Sequence, residues 1–318
     1  PLDYAGYLCV IAKVTRACNL RCTYCADWRE GRGVTMPFPV LVRLVQQSLS
    51  TGAAAVDFVL HGGEPLLLGP RRLLQLLALQ EHFAPPGAVV TTHVQTNGTV
   101  VDDRIRRVLR LFELRTSVSL DGTRRLHDRT RRDKAGRSTW EAVRTGISAL
   151  RDDGTLTGVL LVVTPDVLVE DPAVLWADVV STGTPSVCFL AERPRPGHPS
   201  PVSTREYVGF LARMAQERQR SGADVAIREV DAIGRLLDSE QSGFCELAGN
   251  CVGHFVAVDP DGSVSHCDKY LGDEAYVLGN LVTDDLSDIL RGARAAGLRA
   301  RASAEVRSLA GCRWSALC

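Results

Sequence analysis

The 318-residue chain is 45% hydrophobic and 23% charged, enough apolar material for one large core or two smaller ones. Its 37 Lys and Arg balance 37 Asp and Glu, with no long block of one sign, which speaks against nucleic acid and against a membrane-surface helix as partners. No apolar run is long enough to cross a membrane, and the start, PLDYAGYLCVIAKV, lacks the basic opening and cleavage site of a secretory signal, so a cytoplasmic protein is expected. The sequence begins without Met and stops on Cys318, which is compatible with a longer natural protein.

In chain order, short β-branched runs alternate with helix-length segments of 3.6-residue apolar spacing. YLCVIAKVT, AVDFVL, AVVTTHVQT, LRTSVSL, GVLLVVT and PSVCFL read as strands. FPVLVRLVQQSL, RRLLQLLALQEHF, DRIRRVLRLFEL, TWEAVRTGISALR and DPAVLWADVV read as the helices between them. Right-handed crossovers then require a parallel sheet, open or partly closed into a barrel, with ligands at the carboxyl ends of its strands. The stretches to inspect follow the strands: RACNLRCTYC, HGGEPLL, TNGT and LDG share one rim. AERPRPGHPSPVS reads as a linker, followed by the helical TREYVGFLARMAQERQ and IREVDAIGRLLDSE. Beyond Gly243 the chain changes character, and FVAVDPDGSVSHC reads as a hairpin around Asp-Gly, flanked by cysteines.

Ten cysteines in a chain without an export signal point to metal or catalysis before disulfides. Cys9 and Cys188 sit in apolar runs and read as core. Cys18, Cys22 and Cys25 form C-x3-C-x2-C; Cys245, Cys251, Cys267, Cys312 and Cys318 fall in the last quarter, so two cysteine-built sites are implied. Structural zinc wants four ligands and hydrolytic zinc wants His or carboxylate, and neither set accompanies the triad. Three thiolates suit an iron–sulfur cube, leaving one iron without a protein ligand.

C-x3-C-x2-C with Tyr24 before the third Cys, followed by GGEP after the second strand, resembles the radical S-adenosylmethionine superfamily. The resemblance implies a partial (β/α)6 TIM-like barrel of class α/β over residues 1–200. It also implies a 4Fe-4S cluster on Cys18, Cys22 and Cys25 whose open iron is chelated by S-adenosylmethionine. Reduction would then give a 5'-deoxyadenosyl radical that abstracts hydrogen from substrate. By the same likeness Gly62, Gly63 and Glu64 would meet the cofactor's amino group, and Asn97 and Ser119 its ribose and methionine part. Arg131 would hold its carboxylate, with Tyr24 against the adenine. Taken singly, Gly-Gly and Asn-Gly are common turns and Arg129–Arg132 a solvated basic face.

The tail, CELAGNC and then VGHFVAVDPDGSVSHC, resembles the auxiliary-cluster domain SPASM, and Gly262 suits a turn needing positive φ. GCRWSALC matches part of that domain's C-x2-C-x5-C-x3-C stretch, but Leu309 stands where a Cys is expected. The tail is therefore expected to hold one or two auxiliary 4Fe-4S clusters on Cys245, Cys251, Cys267, Cys312 and Cys318, as a SPASM or reduced twitch domain over 243–318. A zinc knuckle is the alternative. A helical connector over 201–242 joins it to the barrel. Asp268 stands where sulfatase-maturing relatives have a proposed base; a turn cap is the plain alternative. His266 is expected to orient a cluster ligand or be exposed, and His61 to pack beneath the Gly-Gly turn.

The function expected is hydrogen abstraction from a ribosomally made precursor peptide, ending in a carbon–carbon or carbon–heteroatom cross-link or in epimerisation. Alternatives are formylglycine formation in a sulfatase, dehydrogenation or epimerisation of an aminoglycoside-like small molecule, and a non-catalytic leader-binding scaffold. The implied partners are the peptide, an electron donor such as flavodoxin or ferredoxin, and a separate leader-recognition protein.

Overall fold

A computed structural model of the chain describes residues 6–25, 33–193, 199–238, 251–270 and 272–314. They group into two compact units: residues 1–17, 27–94 and 236–318 form the first, residues 18–26 and 95–235 the second.

In the first unit, β1 (Tyr7–Thr15), β2 (Ala55–Gly62) and β3 (Val89–Thr96) run parallel, and α1 (Phe38–Leu49) and α2 (Gly69–Phe83) cross between them. The strand period decides which face is buried. Leu8, Val10, Ala12 and Val14 on β1, with Val56, Phe58 and Leu60 on β2, are almost wholly excluded from solvent. Leu41, Leu44, Val45 and Leu49 of α1 are buried too, each full burial contributing about 1.5–3 kcal/mol. Lys13, His61 and Gly62 therefore belong to the opposite face or the strand ends.

The tail hairpin is not a separate sheet. β8 (Phe255–Val258) adds to β1 in parallel, Cys9 opposite Phe255 and Ala12 opposite Val258. β9 (Ser263–Ser265) and β10 (Val277–Asn280) continue antiparallel from it. Gly262 in the β8–β9 turn has φ +87°, and a Cβ there would meet Asn280 Oδ1 at 2.8 Å. Arg16 Nη2 meets Asp259 Oδ1 at 2.8 Å, joining the exit of β1 to this turn. Two helices follow, α9 (Leu286–Arg291) and α10 (Ala293–Ser308).

The second unit repeats the strand–helix alternation: β4 (Arg115–Ser119), β5 (Leu156–Val163), β6 (Ser186–Ala191) and the two-residue β7 (Ala226–Ile227) are successively parallel. Besides the single turn Pro165–Leu168, its helices are α3 (Asp103–Leu111), α4 (Arg124–Thr130), α5 (Trp140–Asp152), α6 (Pro172–Ser181), α7 (Thr204–Ser221) and α8 (Arg228–Leu237). α7 shows how local chemistry sets a boundary: Ser203 and Glu206 form a reciprocal capping box, and Gly222 closes the helix at φ +66°. No described helix is long and apolar enough to cross a membrane.

Candidate active site

The cysteine loop belongs to the second unit and is stitched down by its backbone. Arg21 N–H donates to Arg132 O at 2.7 Å and Thr23 N–H to Thr130 O at 2.9 Å, while Leu20 is buried and bridges to Asp133. Asn97 Nδ2 donates to Asn19 Oδ1 at 2.9 Å and points to Cys18 Sγ at 3.9 Å; its own Oδ1 accepts from Thr99 N at 3.0 Å. Asn97 thus fixes the first turn of the triad loop. Leu20 N–H also donates to Cys18 Sγ at 3.4 Å. Ser119, at the end of β4, accepts from Gln95 Nε2 at 3.0 Å.

Arg131 Nη1 lies 3.9 Å from Cys22 Sγ, and its guanidinium carbon stands 5.5 Å from the centre of the Tyr24 ring. Its counter-charge is Asp121, at 3.1 Å from Nε. Asp121 is a hub the sequence reading did not name, although LDG was marked for inspection. Its Oδ2 accepts the Tyr24 hydroxyl at 2.8 Å and the Thr130 hydroxyl at 2.6 Å, and its Oδ1 accepts Val162 N–H at 3.3 Å. Burial would raise the Asp121 carboxyl, but Arg131 and these donors outweigh it and keep it ionised. His127 completes the support: Nδ1 accepts Asp121 N–H, so the proton is on Nε2, facing the Thr139 hydroxyl at 3.0 Å, which in turn donates to Arg131 O. Burial, with the Arg131 charge, pulls His127 down to about 4.

Gly62, Gly63 and Glu64 belong to the first unit. A Cβ on Gly62, at φ +112°, would lie 2.2 Å from Thr15 O, and one on Gly63 2.3 Å from Ala17 O. Gly63 N–H donates to Thr15 O at 2.7 Å and Glu64 N–H to Ala17 O at 2.9 Å. The glycines thus let the exit of β2 lie on the exit of β1, where the cysteine loop begins. Glu64 is fully buried and accepts Leu66 N–H at 3.0 Å, capping the short helix Pro65–Leu68.

The tail cysteines are placed unevenly. Cys251 Sγ lies 3.8 Å from His266 Nε2, and His266 is buried, so it adjoins a cysteine and is not exposed. Cys267 donates to Asp268 Oδ1 at 3.6 Å, and Cys312 is exposed. Cys245 and Cys318 lie outside the described residues. Burial would raise the Asp268 carboxyl, yet the charges of His61 and Lys13 hold it below the usual carboxylate range. It opens the short helical turn Asp268–Tyr270. His61 Nδ1 is buried without a hydrogen-bond partner among the described residues.

The donor chemistry fits iron–sulfur clusters. None of the described cysteines is in a disulfide. Burial pushes the Cys22 thiol up to about 12 against the pull of Arg131, and burial likewise pushes Cys267 to about 12. Such thiols become thiolates when a metal supplies the positive charge. Among the described residues no three His, Cys, Asp or Glu side chains gather around one ion. A cube differs in taking each thiolate at a different corner.

Residues 12–175 match the radical SAM superfamily. The chain belongs to that superfamily. Residues 250–313 match SPASM, an iron–sulfur cluster-binding domain. The chain is 30% identical over 274 residues to the serine-type anaerobic sulfatase-maturating enzyme of Klebsiella aerogenes, covering 83% of this chain and 67% of that protein. It is 26% identical over 290 residues to the cysteine-type enzyme of Clostridium perfringens, covering 86% and 76%. Native anSMEcpe with bound AdoMet shares the fold, with TM-score 0.84 at 24% identity over 98% of this chain and 88% of that one. Streptococcus suis SuiB bound to precursor peptide SuiA shares it with TM-score 0.69 at 15% identity, over 93% and 67%. This radical SAM enzyme thus has the expected α/β fold with a SPASM domain toward its C-terminal end, and its cofactors are S-adenosylmethionine and iron–sulfur clusters.

Proposed function

We propose that this radical SAM enzyme oxidises a serine or cysteine side chain in a protein or peptide, as in sulfatase maturation. The single observation that carries the reading is Asp268, an ionised carboxylate beside Lys13 and His61, on the segment that β8 joins to the edge of β1. The similarity to sulfatase-maturating enzymes along most of the chain supports it. Peptide cross-linking or epimerisation is the second reading, favoured by the fold shared with peptide-bound SuiB.

Cys18, Cys22 and Cys25 would hold the catalytic cluster, and Cys245, Cys251, Cys267, Cys312 and Cys318 the auxiliary ones. Glu64 and Arg131 would take the charged ends of S-adenosylmethionine, with Gly62, Gly63, Asn97, Ser119 and Tyr24 lining its site. Bound there, cluster and cofactor supply one-electron hydrogen abstraction. The protein's own residues do the rest. Arg131, neutralised by Asp121, holds its place beside Cys22 without carrying an unpaired buried charge. After the hydrogen atom is abstracted, reaching the aldehyde level requires the loss of one more electron and one proton: an auxiliary cluster held by the tail cysteines would accept the electron, and the Asp268 carboxyl, held low by the His61 and Lys13 charges, would accept the proton.

Asp268→Asn tests this, because the isosteric amide keeps shape and loses proton affinity. The expected result is 5'-deoxyadenosine formation near wild type with aldehyde product reduced by roughly 100-fold. Product formation near the wild-type rate removes the role of Asp268. A cross-linked or epimerised peptide in mass spectra, with no aldehyde, selects the second reading.

A further inference from the structure

The tail of the first unit holds a buried imidazole that the chemistry above does not use. His266 follows directly on β9, precedes Cys267 and keeps only 6% of its surface exposed. Its Nε2 faces Cys251 Sγ at 3.8 Å, and its Nδ1 is buried and meets no hydrogen-bond partner among the described residues. Packing fixes this orientation. Tyr270 stacks on the imidazole at 6.2 Å with the planes 23° apart, Tyr276 stacks on Tyr270 at 3.7 Å and 4°, and the Arg301 guanidinium carbon of α10 stands 5.1 Å from the centre of the Tyr276 ring. The backbone is tied at the same place, His266 N–H donating to Tyr276 O at 3.0 Å. The imidazole can swing away from sulfur only by unstacking from this column.

An imidazole nitrogen beside a cysteine sulfur can act as acceptor or as donor. With Cys251 a thiol, S–H can donate to Nε2; a thiolate bound to iron has no proton to give, so the contact then survives only with Nε2 as donor. The tautomer can follow, because no acceptor among the described residues retains a proton on Nδ1. Hydrogen bonds to the sulfurs are one of the levers that set the potential of an iron–sulfur cluster. A donor stabilises the more negative, reduced cluster more than the oxidised one, and so raises the potential. Cys267 makes the opposite kind of contact, since its neighbour Asp268 Oδ1, at 3.6 Å, is a carboxylate whose charge opposes reduction. A donor on Cys251 counters that charge.

We propose that His266, held by the Tyr270–Tyr276 stack, donates its Nε2–H to the Cys251 thiolate and thereby raises the reduction potential of the auxiliary cluster, making that cluster a better acceptor for the electron that leaves the substrate radical. This rests on the reading that Cys251 is a ligand of that cluster. His266 is a positioning residue in this step: the substrate carbon loses one electron, the cluster gains it, and the Nε2 proton stays on nitrogen.

The test reads the auxiliary cluster directly. In the full chain with Cys18, Cys22 and Cys25 replaced by Ala and the tail reconstituted with iron and sulfide, a redox titration followed by electron paramagnetic resonance compares His266, His266→Leu and His266→Gln. Leu has no donor, whereas the Gln amide keeps one. At a fixed applied potential His266→Leu is expected to raise the oxidised-to-reduced ratio roughly tenfold, about 59 mV for one electron, and His266→Gln to lie nearer the parent. In the holoenzyme with all its cysteines, an exchangeable proton coupled to the auxiliary cluster, lost in deuterium oxide, should be present with His266 and absent in His266→Leu. An unshifted potential in His266→Leu, or an equal shift in the Leu and Gln variants, overturns the proposal. So does loss of iron in both variants or a strong nitrogen coupling in the holoenzyme, either of which makes His266 a ligand and not a donor. Cys251→Ala separates the two failures. If it leaves tail iron and potential as in the parent, Cys251 is not a ligand and the underlying reading falls; if it removes iron while His266→Leu changes nothing, that reading stands and the role of His266 alone fails.

Discussion

Cys22 lies in a loop held by backbone hydrogen bonds to residues 130 and 132, with a guanidinium 3.9 Å from its sulfur. Cys312 lies exposed just past α10, a helix that buries only Ala295 and Leu298. The first site is held in place by the polypeptide's own hydrogen bonds. The second would take its ligands from a hairpin, a short helical turn and an exposed segment, so metal binding itself would supply much of the ordering. The contrast teaches that two cysteine-rich stretches in one chain need not depend on metal to the same degree.

The largest effect should come from the organised site. Replacing Cys18, Cys22 and Cys25 together with Ala should lower 5'-deoxyadenosine production by roughly 1000-fold or more, since the whole cofactor chemistry depends on them. Iron in the tail should persist, because its ligands are separate. Cofactor cleavage in the triple variant would break the comparison at its root.

Next in size is the tail. Cys267→Ala, or the pair Cys251→Ala and Cys267→Ala, should remove about four iron atoms per chain, the content of one cube. Proteolysis sharpens the point. After chelation of all iron, cleavage between residues 251 and 314 should precede cleavage near residues 18–25 and 121–131. Simultaneous cutting at both places would show that the loop of Cys22 depends on metal as much as the tail does.

How far the sequence foretold each site follows the same division. The alternating runs that became β1–β6 and the helices between them were legible because each buries one periodic face, as Leu8, Val10, Ala12 and Val14 do. The β8–β9 hairpin was legible from Asp-Gly, but its addition to the edge of β1 was not, because strand partners far apart in sequence leave no local pattern. α10 escaped notice because ARAAGLRARASAEVRS offers only two buried side chains and hence little apolar periodicity. At the site, spacing marked the cysteines, whereas Asp121 is one carboxylate in a turn until folding brings Tyr24, Thr130 and Arg131 to it. The glycines of HGGEP were attributed to cofactor approach, and the structure adds that Thr15 O and Ala17 O already exclude a Cβ.

The hub of the organised site should be felt in stability. Asp121→Ala leaves the Arg131 guanidinium buried without a counter-charge and should cost about 3–5 kcal/mol. Asp121→Asn, which keeps hydrogen-bonding capacity, should cost less. Urea unfolding of the two variants measures the difference, and equal, small losses would show that Arg131 finds another partner.

The smallest effect is a pH dependence specific to the second unit. His127 is held neutral, at about 4 against an ordinary 6.5, first by burial and then by the Arg131 charge. Above pH 6.5 the folded and unfolded chains both carry it neutral, and its contribution is fully present. As pH falls from 6.5 toward 4, the unfolded chain takes up a proton that the folded chain refuses, so stability falls across that window and levels off below it. The loss is at most about 3 kcal/mol. His127→Gln keeps an acceptor for Asp121 N–H and a donor for Thr139 but cannot titrate. Urea midpoints measured between pH 7 and 5 should therefore fall more steeply for the wild type than for His127→Gln. Parallel profiles would mean that His127 is open enough to accept its proton in the folded state, and that the support behind Arg131 is looser than its hydrogen bonds imply.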